Sequence, residues 1–185
     1  SEVIHRRVAN TKRRVCEIAA QQFNSTTVDA VSIESIISGA GIARSTFYRF
    51  FDDKEDLLRK IITPVFEQAC EYLDGLDPDR PEEIVNGIAD SYLRLWRDQP
   101  DALILSANVG AKLFELVAEE RSVYADIILR LMHRLHDARM LRNDDPHLSA
   151  VIFAQTAVCI LQVCQSHPQF ENVYRGTLRG MILKW

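Results

Sequence analysis

The chain reads as all-α: three helices over residues 1–52, then a linking helix that leads into a larger helical domain over residues 53–185. Three observations predict this. Apolar side chains recur at spacings of three and four. No convincing run alternates apolar and polar residues between turn signals. The seven glycines and six prolines are few and sit mainly at breaks between the periodic stretches.

A first helix is expected over about residues 5–23, with Val15, Ile18, Ala19 and Phe23 inward. Ser32 caps a short second helix carrying Ile33, Ile36 and Ile37. Gly41 stops it, and a third helix follows over about 43–50. Asp52 and Glu55 have the spacing of a capping box opening a fourth helix to about Leu73, kinked at Pro64. Pro81 starts a fifth helix with the stripe Ile84, Ile88, Tyr92, Leu95. A short sixth helix ends near Gly110, and a long seventh spans about 111–139. The eighth, about 146–165, is apolar nearly all round, and a ninth is expected to run to Trp185.

The four cysteines form no CxxC pair and read as reduced, buried thiols of a cytoplasmic protein. No secretory signal is evident. The most apolar stretch, about 148–164, carries Ser149, Gln155, Thr156 and Gln162, so no membrane span is expected. GxSxG, glycine-rich phosphate-loop and HExxH patterns do not occur, which argues against an enzyme, and nothing calls for a cofactor. His133, His136 and Asp137 share a helix but fall short of the four ligands of a closed metal site.

The formal net charge of −4 hides an asymmetry. Residues 1–50 carry seven Lys and Arg against four acids; the other 135 carry 15 against 22. A basic start on an acidic body suits a nucleic-acid contact at one end. The stretch GIARSTFYRFFDDKEDLL, residues 41–58, sharpens this. At about 100° per residue, Arg44, Ser45, Tyr48 and Arg49 share one arc, with Thr46 at its border. Ala43, Phe47 and Phe50 point the other way. Two short helices joined at a glycine, the second bearing such a face, describe a helix-turn-helix. Arg44 suits guanine O6 and N7, Ser45 and Thr46 suit base edges, and Tyr48, Arg49 and Lys54 suit phosphates.

Residues 11–58 resemble the N-terminal domain of the tetracycline-repressor (TetR) family of transcription regulators. The matching elements are TKRRVCEIAAQQF and VSIESIISGAGIARSTFYRFFDDKEDLL, with Ser32, Ala40-Gly41, Tyr48, Phe51 and Lys54 at the family's spacing. Thr27, Ala43 and Ser45 depart from its usual glycine, Ser/Thr and glycine. Ala43 forgoes a cap worth about 1 kcal/mol. Arg6 and Arg7 read either as an arm to the DNA or as disordered.

The resemblance implies that the C-terminal domain forms a homodimer and binds a small-molecule effector, and that the dimer reads a palindromic, double-stranded operator, most commonly as a repressor. The last two helices are the expected interface, through the apolar surplus of the eighth and Phe170, Val173, Leu178 and Ile182 of the ninth. Expected pocket residues are Phe66, Tyr92, Trp96, Phe114, Tyr124, Met132 and Phe153, with His133, Gln155 and Cys159 as polar groups. A metal-sensing regulator and a helical adaptor without DNA binding are the alternatives.

Overall fold

The computed structural model describes residues 2–77, 80–108 and 115–184. Its helices are α1 (Glu2–Ser25), α2 (Ile33–Ala40), α3 (Arg44–Phe50), α4 (Lys54–Asp74), α5 (Pro81–Asp98), α6 (Pro100–Asn108), α7 (Ala118–Asp137), α8 (Pro146–Cys164) and α9 (Phe170–Ile182). A single 3₁₀ turn, Glu115–Val117, precedes α7. Among the described residues the only β pairing is an isolated bridge between Leu141 and Leu183. The expected pocket residue Phe114 and the expected start of the seventh helix lie outside the described residues.

The contacts group into two compact units. The first is Ser1–Val65 with Gln99–Val117. Here α1 packs on α2 and α6, and α2 on α3. Val15, Ala19, Ile36, Phe47 and Leu57 are fully shielded from solvent. The Asn24 amide donates to Asp101 O at 2.8 Å, tying α1 to α6.

Gly39 admits a close approach of α1, since a Cβ there would lie 2.8 Å from Gln22 Nε2. Gly41 takes the left-handed conformation that ends α2, with φ +63°, and its N–H closes the last turn. Arg6 and Arg7 extend α1 as exposed helical residues and form no extended arm, because the helical pattern continues to Glu2.

The helix 4 cap lies one residue later than expected. Asp53 Oδ1, not Asp52, accepts the Asp56 N–H at 2.8 Å, and Asp56 Oδ2 accepts the Asp52 N–H at 3.1 Å. Asp56 thus takes the reciprocal role expected of Glu55. Assigned helix continues through Pro64.

The second unit is Phe66–Asp98 with Ala118–Trp185. It packs α5 on α7 and α9, and α8 on α7 and α9. The expected α5 stripe is buried throughout: Ile84, Ile88, Tyr92 and Leu95. The final helix stops at Ile182 rather than Trp185. The backbone turns to pair with the α7–α8 loop, Arg142 N–H to Ile182 O and Lys184 N–H to Met140 O, each 2.8 Å.

α8 is buried on one side only, through Ser149, Phe153, Ala157, Val158 and Leu161. Leu148, Val151 and Val163 stand on its exposed side, 47%, 45% and 75% accessible. Contrary to expectation, this 19-residue helix is long and apolar enough to cross a bilayer by length and composition. Its buried side nevertheless packs on α7 and α9. The cysteines also differ from expectation: Cys16, Cys70 and Cys164 are half-buried, and Cys159 is exposed.

Candidate functional site

The first unit presents α3 on a rigid support. Ser32 Oγ accepts the Ser35 N–H at 3.1 Å and starts α2 where the sequence places it. Ala43 caps α3 with backbone alone, so α3 depends on tertiary anchors. Phe47 is its one fully buried side chain and meets the Phe51 ring at 5.3 Å. Lys60 fastens the far end: its Nζ donates to Phe50 O at 2.9 Å and to Asp56 Oδ2 at 2.7 Å. Burial pushes the Asp56 carboxyl up, but hydrogen bonds from Lys60 and the Asp52 N–H outweigh it and hold the group below its ordinary value.

With Phe47 inside, Arg44, Ser45, Tyr48 and Arg49 are exposed and Thr46 is half-buried. Ala43, expected to point inward, is exposed, because only Phe47 reaches the core. The Arg44 guanidinium lies 5.6 Å from the Tyr48 ring centroid, and the Arg49 guanidinium 4.9 Å from that of Phe50. Arg44 Nη1 also meets Glu34 Oε1 at 2.9 Å. Sequence reading missed Glu34, since nothing local links positions ten residues apart.

Lys54 is half-buried, and its Nζ donates to Val28 O at 2.8 Å and Val31 O at 3.0 Å. The ammonium thus braces the turn before α2 and keeps one of its three hydrogens for an outside acceptor. Lys54 lines a shallow groove of about 390 Å³ with Asp29, Ser32 and Glu34.

The second unit gathers several of the expected pocket residues. Tyr92 and Tyr124, both buried, join their hydroxyls at 2.6 Å. Phe153 meets the Tyr92 ring edge-on at 5.4 Å, and Phe66 lies 5.7 Å from the Tyr124 ring. Burial raises the Tyr92 hydroxyl to about 12, against the lowering hydrogen bond from Tyr124. Burial also raises Tyr124 well above the usual phenol value, with Tyr92 adding to it. Both therefore stay protonated: one O–H donates to the other hydroxyl, whose own hydrogen is left available. Met132 is fully buried and Trp96 half-buried.

His133, Gln155 and Cys159 are exposed, away from these rings. The reason is helical phase: His133 follows the buried Met132 by one residue, and Gln155 and Cys159 share the outer side of α8 with Leu148 and Val151. The sequence also missed Tyr174, fully buried with its hydroxyl lacking a protein partner, and the equally unpartnered hydroxyls of Ser91 and Ser149. Hydroxyls sitting alone between helix stripes offer no pattern by which to find them. Among the described residues, no three of His, Cys, Asp and Glu come together to hold a metal ion.

Residues 17–61 match the family model of bacterial regulatory proteins, tetR family. No curated protein matches the chain. Similar solved structures include AibR in complex with isovaleryl coenzyme A and operator DNA, at 17% identity and TM-score 0.73, covering 92% of this chain and 97% of that one. The fatty acid degradation regulator FadR from Bacillus halodurans is similar at 14% identity and TM-score 0.68, over 92% and 94% of the two chains. The superantigen PfiT is similar at 18% identity and TM-score 0.64, over 94% and 96%. At such identities the likeness carries the fold, and function is argued from the site.

Proposed function

We propose that this chain, whose residues 17–61 match the model of the tetR family of bacterial regulatory proteins, is a member of that family: a cytoplasmic, dimeric transcription repressor that a small, largely apolar effector releases from its operator. Residues 1–52 serve as the DNA-binding head and 53–185 as the effector-binding and dimerisation body. The observation that carries the reading is the face of α3: Arg44, Ser45, Tyr48 and Arg49 exposed together over a fully buried Phe47.

In the helix-turn-helix mode, such a helix lies in the major groove with its first residues at base edges. Arg44, Ser45 and Thr46 then read bases. Tyr48, Arg49, the third hydrogen of Lys54 and Ser32 at the start of α2 meet phosphates and set the register. Two such heads about 34 Å apart on a two-fold axis read a palindrome.

The exposed side of α8 supplies the dimer contact, through Leu148, Val151 and Val163. On α9, Leu178 and Ile182 already pack within the chain, so Val173, Gly176 and Thr177 are the part left to meet a second copy. The effector binds in the body among Phe66, Tyr92, Trp96, Tyr124, Met132 and Phe153, with the buried Tyr174 hydroxyl as a polar anchor. The structural similarity to AibR, a protein seen with both an acyl-coenzyme A and operator DNA, supports this pairing of partners. Release works by linkage: the effector weakens DNA binding by the ratio of its affinities for the two dimer shapes. Helix α4, which begins at Lys54 and contributes to both units, is the proposed connection, with Pro64 as pivot.

The test is fluorescence anisotropy with the full chain against DNA from upstream of its own gene and a scrambled duplex, across a salt series. The expected result is tighter binding to the upstream DNA, affinity that falls with salt, and loss of the preference in Arg44→Ala. If duplexes selected from random DNA also bind no better than scrambled ones, the reading is refuted.

A further inference from the structure

We infer that Glu34 is a positioning residue for base reading, holding the Arg44 guanidinium in a chelating orientation while its own charge weakens binding to every duplex. The inference rests on the reading of α3 as the base-reading helix.

Arg44 is the first residue of α3, where the backbone has no side-chain cap to order it. A free arginine there samples many rotamers, and ordering it on DNA diminishes each contact it makes. Two contacts remove part of that freedom beforehand. Glu34 Oε1 accepts from Nη1 at 2.9 Å, and the Tyr48 ring lies under the guanidinium at 5.6 Å. Glu34 is itself favourably placed, in the first turn of α2 where the helix amides attract a carboxylate.

The choice of nitrogen matters. Nη1 is the nitrogen on the Cδ side of the guanidinium. Its use by Glu34 leaves the Nε–Nη2 edge, whose two parallel N–H groups match guanine N7 and O6. One of five donors is taken, and the chelating edge stays open.

The carboxylate has a second effect. It stands beside a face that must meet phosphates, so its charge opposes every duplex, cognate or not. Only the duplex whose bases complete the Arg44 chelate also gains from the ordered guanidinium. Glu34 therefore widens the gap between right and wrong DNA even as it lowers overall affinity. Both partners are about two-thirds exposed, at 66% and 64%, so the pair adds little to folding stability. Its removal leaves a folded protein in which the effect on recognition can be read.

The experiment selects duplexes from random DNA with the full wild-type chain. It then measures anisotropy of the enriched duplex and a scrambled one with wild type, Glu34→Ala, Glu34→Gln, Arg44→Ala and the Glu34→Ala/Arg44→Ala double variant, folding being checked by circular dichroism. In Glu34→Ala, scrambled DNA should bind more tightly. The preference for the enriched duplex should fall about fivefold, the lower end of what one bidentate base contact supplies, and only at the base pair that Arg44→Ala also relaxes. Glu34→Gln keeps the acceptor without the charge, so it should retain more of the preference while gaining the same affinity for scrambled DNA. Without Arg44, the Glu34→Ala change should leave the preference where it is. An unchanged preference in Glu34→Ala, or an equal loss with and without Arg44, overturns the role of Glu34 and leaves the DNA-binding reading intact. If wild type enriches no sequence, the reading of α3 itself falls, and this inference with it.

Discussion

Replacing Tyr92 with Phe removes one of two buried hydroxyls that meet at 2.6 Å and strands the other. The ring stays, so its packing against Phe153 is kept. What is lost is the hydrogen bond, and what is gained is a buried Tyr124 O–H without a partner, a change that costs about 1–3 kcal/mol. Tyr124→Phe should cost a similar amount for the mirror-image reason. The double Phe variant removes both polar groups together and should lie near wild type. For a chain of this length, about 2 kcal/mol lowers Tm by about 4–8 °C. Urea midpoints and calorimetry on the four proteins form a double-mutant cycle.

The same pair shapes the alkaline limb. The Tyr92 hydroxyl titrates near 12 when folded, against 10 for the free group, so folding holds its proton. That stabilisation is complete below pH 10 and disappears as pH rises toward 12. The double Phe variant should therefore lose stability less steeply over this range. If its destabilisation instead equals the sum of the two singles, the hydroxyls do not act as a pair and the reasoning is wrong.

Gly41→Ala should cost about 1 kcal/mol by backbone strain alone, because φ is +63° and the nearest atom to a new Cβ, Arg14 Nη2, is 3.9 Å away. A neutral result in urea denaturation would show that the turn relaxes. Lys54→Met strands two carbonyls that now accept charge-assisted bonds, and it should lower stability by about 2 kcal/mol in DNA-free protein. If only DNA affinity changes, the bracing role is refuted. Val163→Asp places a charge on a side chain that is 75% exposed, so thermal stability measured below the dimer's dissociation range should move by less than about 0.5 kcal/mol. Light scattering should then find monomer where wild type forms the proposed dimer; a persisting dimer would put the interface elsewhere.

Much of this protein is written in local chemistry. Side chains three and four apart fall on one side of a helix whatever the rest of the chain does, which is why the α5 stripe and the exposed arc of α3 were legible. Caps are equally local: Ser32 reaches an amide three residues on, and Gly41 alone of its neighbours takes a left-handed φ without strain. The Asp52 cap failed by one residue because several acids there compete within one turn.

Other features required the folded chain. Lys54 reaches carbonyls 23 and 26 residues away, and Asn24 a carbonyl 77 residues away. The Tyr92–Tyr124 and Arg44–Glu34 pairs likewise join separate helices. α8 is the clearest case, since a helix apolar nearly all round carries no periodic signal of which side it will bury. Packing against α7 and α9 chose Phe153, Ala157 and Leu161 for the inside and left Gln155, Cys159 and Val163 out. Burial is a property of the neighbours a side chain meets, and a pattern within one helix cannot name them.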